Sequence, residues 1–329
     1  MDPLVFEPCL RPQIWGGRRL GERLGKPLPP TGLFGESWEV SAYPYHVSRV
    51  AEGPLRGSRL DELWANRAEE LLGRPVPALQ TFPLLVKFLD CHDLLSIQVH
   101  PSDQLARELL SEPSGKSEAW VVLQAEPGAL VYAGLLPGTT PASVERLLEA
   151  GRLADCLHCF APKAGDCLFL PAGTVHAAGG GVLLAEVQQP SDTTFRLFDW
   201  NRLAGDGQPR PLHRAEALRS IDWSAGPVRP VRATPIERLP DGAGGEHFIT
   251  CDYFALDRFR LAGSLAMPYP GRLSVWLVLE GSAELASISG PYRRLFRTGE
   301  TVLIPAAAKG LCWSPAGEPG AATLLAVRV

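Results

Sequence analysis

The chain lacks any apolar run near the ~18–20 residues that a membrane-crossing helix needs. It also lacks an excess of basic charge. Its formal net charge is −4, and the paired arginines Arg18-Arg19 and Arg293-Arg294 are too short to form a basic stripe. Neither a membrane nor a nucleic-acid partner is expected. Its start, Met1-Asp2-Pro3-Leu4-Val5-Phe6-Glu7, has no basic block followed by an apolar one, so no secretory signal is read there. The seven cysteines, an odd number, are scattered along the chain. That pattern suits a reducing compartment better than a disulfide framework, and a cytoplasmic location is expected. No phosphate-binding P-loop occurs, since Gly179-Gly180-Gly181 has no following Lys-Ser/Thr, and no G-x-S-x-G nucleophile elbow is present. Long helical patterns are scarce as well.

Glycine (33) and proline (31), in contrast, are plentiful. Both interrupt helices and shape turns. With 45% apolar residues the chain is too hydrophobic to be disordered. A turn-rich, mainly β protein of roughly two domains follows, at ~150 residues per domain. Strand-like segments include Phe82 to Asp90, Leu94 to His100, Ala119 to Leu123, Gly165 to Leu170, Val182 to Val187 and Thr194 to Phe198. They are short and bounded by Gly, Pro and Asp, as in a sandwich or barrel. Helical spacing is confined to Ser58 to Leu72, Ser102 to Leu110 and Thr140 to Ala150. Gly205 to Pro230 reads as linker. A boundary is placed within it or just after, giving units 1–235 and 236–329.

An internal repeat supports two related units. Gly165-Asp166 leads through an apolar strand to Pro171-Ala172-Gly173-Thr174-Val175-His176. Gly299-Glu300 leads in the same way to Pro305, but Ala307 stands in place of Gly173 and Gly310 in place of His176. A metal site that uses this histidine is therefore expected in the first unit and not in the second.

Several residues could carry chemistry. Gln98 and His100 lie two apart at a strand end and project to one face. They are either a polar strand end or two ligands. Glu118 opens a strand, with Lys116 two residues before it. His176 ends a tight Pro/Gly turn. Together Gln98, His100, Glu118 and His176 offer two nitrogens and two oxygens, a set suited to Zn²⁺ or another first-row divalent ion. The segment from Glu186 to Arg202 concentrates polar groups, among them Asp192 and Arg196. An arginine there suits a phosphate, whose oxygens match its fork. Cys156-Leu157-His158-Cys159 has C-x-x-C spacing but no second such pair, and is read as structural.

Six segments in order resemble the type I phosphomannose isomerases, especially their short bacterial form: Ile14 to Gly17, Gly35 to Ser41, Leu95 to Pro101, Gly115 to Trp120, Pro171 to Ala177, and Glu186 to Arg202. The resemblance is dense over about residues 5–205 and thin beyond. It implies tandem cupin (jelly-roll) domains with a few short helices. It implies interconversion of mannose 6-phosphate and fructose 6-phosphate, with one Zn²⁺ per chain on Gln98, His100, Glu118 and His176. By the same resemblance Arg196 is the active-site arginine, and Lys116 and Asp192 fall on positions proposed for proton transfer. Longer members carry a histidine before the matching lysine, where this chain has Gly115. The expected partner is a small sugar phosphate, and the expected state a monomer or homodimer. A different class of reading is a non-catalytic sugar-phosphate-binding or regulatory cupin. A cupin dioxygenase would usually carry more histidine than Gln98-x-His100 provides.

Overall fold

The computed structural model describes residues 1–75, 81–205, 207–318 and 320–329. Strands dominate it, as the Gly and Pro content leads one to expect. In the first unit a six-stranded antiparallel sheet runs in the order Cys9–Gly17, Phe34–Val40, Leu85–Cys91, Val182–Gln188, Glu118–Ala125, Cys167–Leu170. A five-stranded antiparallel sheet faces it, in the order Phe195–Phe198, Ile97–Val99, His176–Gly179, Leu130–Leu135, Leu157–Phe160. A third, nine-stranded antiparallel sheet, from Thr234 onward, is built around the long Ser274–Ser287 strand, which pairs with four others. These curled sheets form a mainly β, cupin-type fold with short helices.

The described residues form five α-helices, α1 (Arg19–Glu22), α2 (Leu60–Leu72), α3 (Asp103–Leu110), α4 (Pro141–Glu149) and α5 (Arg214–Ser220). Helices α2, α3 and α4 fall on the segments with helical spacing; α1 and α5 do not. Ser102 caps α3 by accepting from the Leu105 amide, and Thr140 caps α4 with Pro141 at its first position. The segment read as linker departs from expectation. It contains α5, whose Ala217 is buried in the core of the first unit. Seven residues offer too few turns for a helical period to show in sequence.

The central strands of the six-stranded sheet are buried on both faces, so they read as largely apolar runs. Every residue of Leu85–Cys91 and Val182–Gln188 is buried. Alternation assigns the faces. Trp120, Val122, Leu89 and Leu184 belong to the core of the first unit. Val86, Phe88, Ala119, Val121, Ala185 and Val187 join a second apolar cluster with Leu256, Leu273, Val275, Leu277, Leu325 and Val327. The inner face also carries Lys87, at the alternate position between Val86 and Phe88.

The repeat is visible in the backbone. Gly165 and Gly299 both take positive φ, +91° and +87°, before the strands Cys167–Leu170 and Thr301–Ile304. Glycine adopts that conformation without the steric cost of a Cβ.

Candidate metal centre and active cleft

Strand register brings the polar residues together. On the five-stranded sheet Arg196 lies opposite Gln98, and Gln98 opposite His176. On the facing sheet Trp38 lies opposite Lys87, Lys87 opposite Glu186, and Glu186 opposite Trp120. Glu118 opens its strand next to Leu170 and Gln188, on the same face as Trp120. The two rows enclose one cleft.

At its deep end sit His100, Glu118 and His176, exposed by 2%, 0% and 1%. Their donor atoms all lie within 4.8 Å of one another. His100 Nε2 is 3.4 Å from Glu118 Oε2, and His176 Nε2 is 3.2 Å from Glu118 Oε1. Among the described residues neither buried Glu118 oxygen has an aligned hydrogen bond; the Lys116 ammonium pairs with Oε2, and Oε1 faces only His176. A buried carboxylate oxygen short of partners costs free energy, and a bound cation would offset that cost. Both rings turn their other nitrogen to backbone: His100 Nδ1 lies 2.8 Å from the Thr193 carbonyl and His176 Nδ1 2.9 Å from that of Thr174. Donation there leaves each Nε2 a lone pair facing Glu118, the arrangement that prepares imidazoles as metal ligands. Burial, and then the Lys116 charge, lower the His100 pKa to about 3, so the ring is neutral. Burial would raise the Glu118 carboxyl, but neighbouring charge, that of Lys116 first, outweighs it and holds the group well below its usual range. The Gln98 amide is 3.3 Å from His176 Nε2. Turning that amide end for end presents its oxygen at the same place. The donor set fits a divalent cation.

Toward solvent the cleft opens to about 280 Å³, lined among others by Arg11, Glu36, Lys87, Ser96, Lys116, Glu186, Asp192, Arg196 and Arg210. Lys116 Nζ is 2.9 Å from Glu118 Oε2 and 3.2 Å from His100 Nε2. Asp192 is 3.3 Å from Arg11 and 3.5 Å from Lys87. Burial works against its charge, but Lys87, Lys116 and Arg11 prevail and keep it below its usual range. Arg196 donates to the Pro211 carbonyl at 2.8 Å, while its buried Nε has no partner among the described residues. Burial, then neighbouring Arg210, lower its pKa. All seven site residues named from the sequence thus line this cleft or its deep end. Cys156 and Cys159 lie elsewhere, the first buried and the second exposed, both as free thiols.

Sequence reasoning missed Lys87, Arg11 and Arg210, and gave Glu36 no role. Lys87 Nζ lies 3.5 Å from Glu186 and 3.7 Å from Glu36, and sits 4.6 Å over the Trp38 ring. Its one signal was a charge inside the apolar run Leu84 to Leu89. Arg210 gave none, since it sits in the segment taken for linker. It binds Asp199 through Nε at 2.7 Å and Nη2 at 2.6 Å.

Comparison with known proteins agrees with this geometry. Residues 4–118 match the family model for the phosphomannose isomerase type I catalytic domain. A mannose-6-phosphate isomerase of Streptococcus mutans is 33% identical over 304 residues, covering 92% of each chain. The mannose-6-phosphate isomerase ManA of Bacillus subtilis is 34% identical over 305 residues, 92% of this chain and 93% of that protein. The crystal structure of the Bacillus subtilis mannose 6-phosphate isomerase superposes with a TM-score of 0.90, at 29% identity and full coverage of both chains. With the motifs in order and the fold shared end to end, this chain belongs to the type I phosphomannose isomerases and is an isomerase.

Proposed function

We propose that the enzyme interconverts mannose 6-phosphate and fructose 6-phosphate through an enediol, with one Zn²⁺ held by Gln98, His100, Glu118 and His176. The observation that carries the metal reading is the buried Glu118 carboxylate between two imidazoles whose other ring nitrogens face backbone carbonyls, with all three donor atoms within 4.8 Å of one another. When bound, such a cation acts as a Lewis acid toward the negative charge that develops on O1 and O2. The names of the relatives support the substrate.

The chain's own groups supply the rest. Isomerisation moves a proton between C1 and C2, and a base must reach it. Lys116 and Asp192 both line the cleft, and either can serve. Most cations here are already tied to carboxylates: Lys87 to Glu36, Glu186 and Asp192, Arg11 to Asp192, Lys116 to Glu118. Arg196 keeps unpaired donor capacity among the described residues, whereas Arg210 on the same wall is already tied to Asp199 through Nε and Nη2. A phosphate seated there receives the planar fork that guanidinium offers. The seven free thiols support a cytoplasmic setting.

A coupled assay for fructose 6-phosphate formed from mannose 6-phosphate tests the reading. Turnover is expected with the metal restored; none with zinc, cobalt or manganese would overturn it. Metal analysis of folded His100→Ala should show metal lost together with activity, and unchanged metal content would remove His100 from the ligand set.

A further inference from the structure

The segment that carries Lys116 is held by three consecutive backbone amides. The Gly115 amide donates to Asp103 Oδ1 at 2.8 Å, the Lys116 amide to the Pro101 carbonyl at 3.0 Å, and the Ser117 amide to Gln189 Oε1 at 2.8 Å. Gln189 is itself fixed, since its Nε2 donates to Asp103 Oδ1 at 2.8 Å and to Ser114 Oγ at 3.1 Å. Asp103 therefore joins both sides of the segment. Its other oxygen, Oδ2, accepts from the Tyr253 hydroxyl at 3.0 Å. Tyr253 belongs to the second β unit, in the turn between the strands Ala243–Thr250 and Ala255–Leu261. Its ring packs at the margin of the apolar cluster shared by the two units.

We propose that Tyr253 is a positioning residue for catalysis, acting through Asp103 to hold the Lys116 segment. The physical argument is one of shared acceptors. Asp103 Oδ1 serves two donors at once, so a small rotation of the carboxylate weakens both bonds together. The Tyr253 hydroxyl fixes that rotation from the other oxygen. It thus sets the aim of Lys116, whose ammonium lies against Glu118 and His100. Residues of one hydrogen-bonded network act jointly, and their joint action is measurable. The second unit, which the repeat leaves without the histidine of the first, contributes to the reaction through this contact. The inference rests on the reading of Lys116 as a residue of the active cleft.

Tyr253→Phe removes the hydroxyl and keeps the ring. In the full-length, metal-loaded protein, amide hydrogen exchange over residues 112–117 should accelerate, by about tenfold or more. The kcat should fall roughly five- to tenfold at unchanged KM and metal content, as for an interaction that counts in the transition state only. In an Asp103→Asn background the effect of Tyr253→Phe on kcat should vanish, because the route to Lys116 is already cut. Unchanged exchange in that segment would overturn the proposal. So would a lowered melting temperature with wild-type kcat, or a kcat loss that persists undiminished in the Asp103→Asn background. If Asp103→Asn does not fold, the exchange measurement on Tyr253→Phe decides alone. A wild-type protein with no turnover on mannose 6-phosphate would instead count against the proposed substrate, and the exchange measurement would still judge the contact.

Discussion

Lys87 shows what the inner face of the barrel demands of one residue. It is 3% exposed and surrounded by Glu36, Glu186 and Asp192. Burial opposes its charge, yet the three carboxylates outweigh burial and hold its pKa above the usual lysine range. Glu186 is raised in turn, by burial and then by Glu118. The lysine's own ionisation therefore leaves its contribution full at neutral pH, to be lost as pH rises through its elevated folded pKa. Lys87→Met leaves buried carboxylates without their cation. It should cost roughly 3–5 kcal/mol at pH 7.5, the range for breaking one side of a buried pair. The deficit should shrink as pH falls through the carboxylate range, because protonation relieves the uncompensated charge. Chemical denaturation of both proteins at pH 7.5 and at pH 5 checks this; an equal deficit at both would show that Lys87 acts by packing alone.

The connection from α3 to the Glu118–Ala125 strand shows how an element can be legible in sequence while its reason is not. Gly115 stands where longer members of the family have histidine. A Cβ built on it would lie 2.5 Å from the Pro101 carbonyl oxygen and 2.6 Å from the Asp103 nitrogen. Backbone fills the place, so a side chain there must push the segment or α3 aside. Gly115→Ala should destabilise the protein by about 1–3 kcal/mol, as overpacking does, and should lower kcat by displacing Lys116. A melting temperature and kcat equal to wild type would show that the segment yields freely. The strands and the histidine-bearing turns were readable because their punctuation is local: Pro101 after His100, and Pro171 with Gly173 before His176. Gln98, His100, Glu118 and His176 could be nominated for that reason. The partners of these residues were not readable. Asp103 meets Gln189 and Tyr253 across gaps of 86 and 150 residues. Lys87 meets its carboxylates through sheet order, which no local pattern encodes. Helix α5 and Arg210 were hidden in a segment too short and too polar to carry a period.

At the scale of the whole molecule, the question is whether the two units are separable. We propose the boundary near residue 235, since the first two sheets use strands up to Phe198 and the third begins at Thr234. Separate sheets do not make independent units, however. The outer face of the six-stranded sheet joins one apolar cluster with strands of the second unit. Leu4 exchanges two backbone hydrogen bonds with Leu303, at 2.8 and 2.9 Å. Lys26, itself buried, binds Glu39 at 2.7 Å and the Gly299 carbonyl at 2.6 Å. A Cβ on Gly299 would come within 2.3 Å of the Leu24 carbonyl oxygen, so the two backbones touch there. Removing the second unit would bare Val86, Phe88, Val121 and Val187 to water, at a cost of roughly 25 cal/mol for each Å² of apolar surface exposed. It would also take Tyr253 from Asp103. The full chain should therefore melt in a single calorimetric transition, with calorimetric and van't Hoff enthalpies in agreement. A chain of residues 1–235 should aggregate or expose dye-binding apolar surface, and should bind less metal than the full chain. A monomeric, cooperatively folded 1–235 fragment with full metal content and wild-type kcat would show that the second unit is dispensable, and would remove the basis for the Tyr253 contact as well.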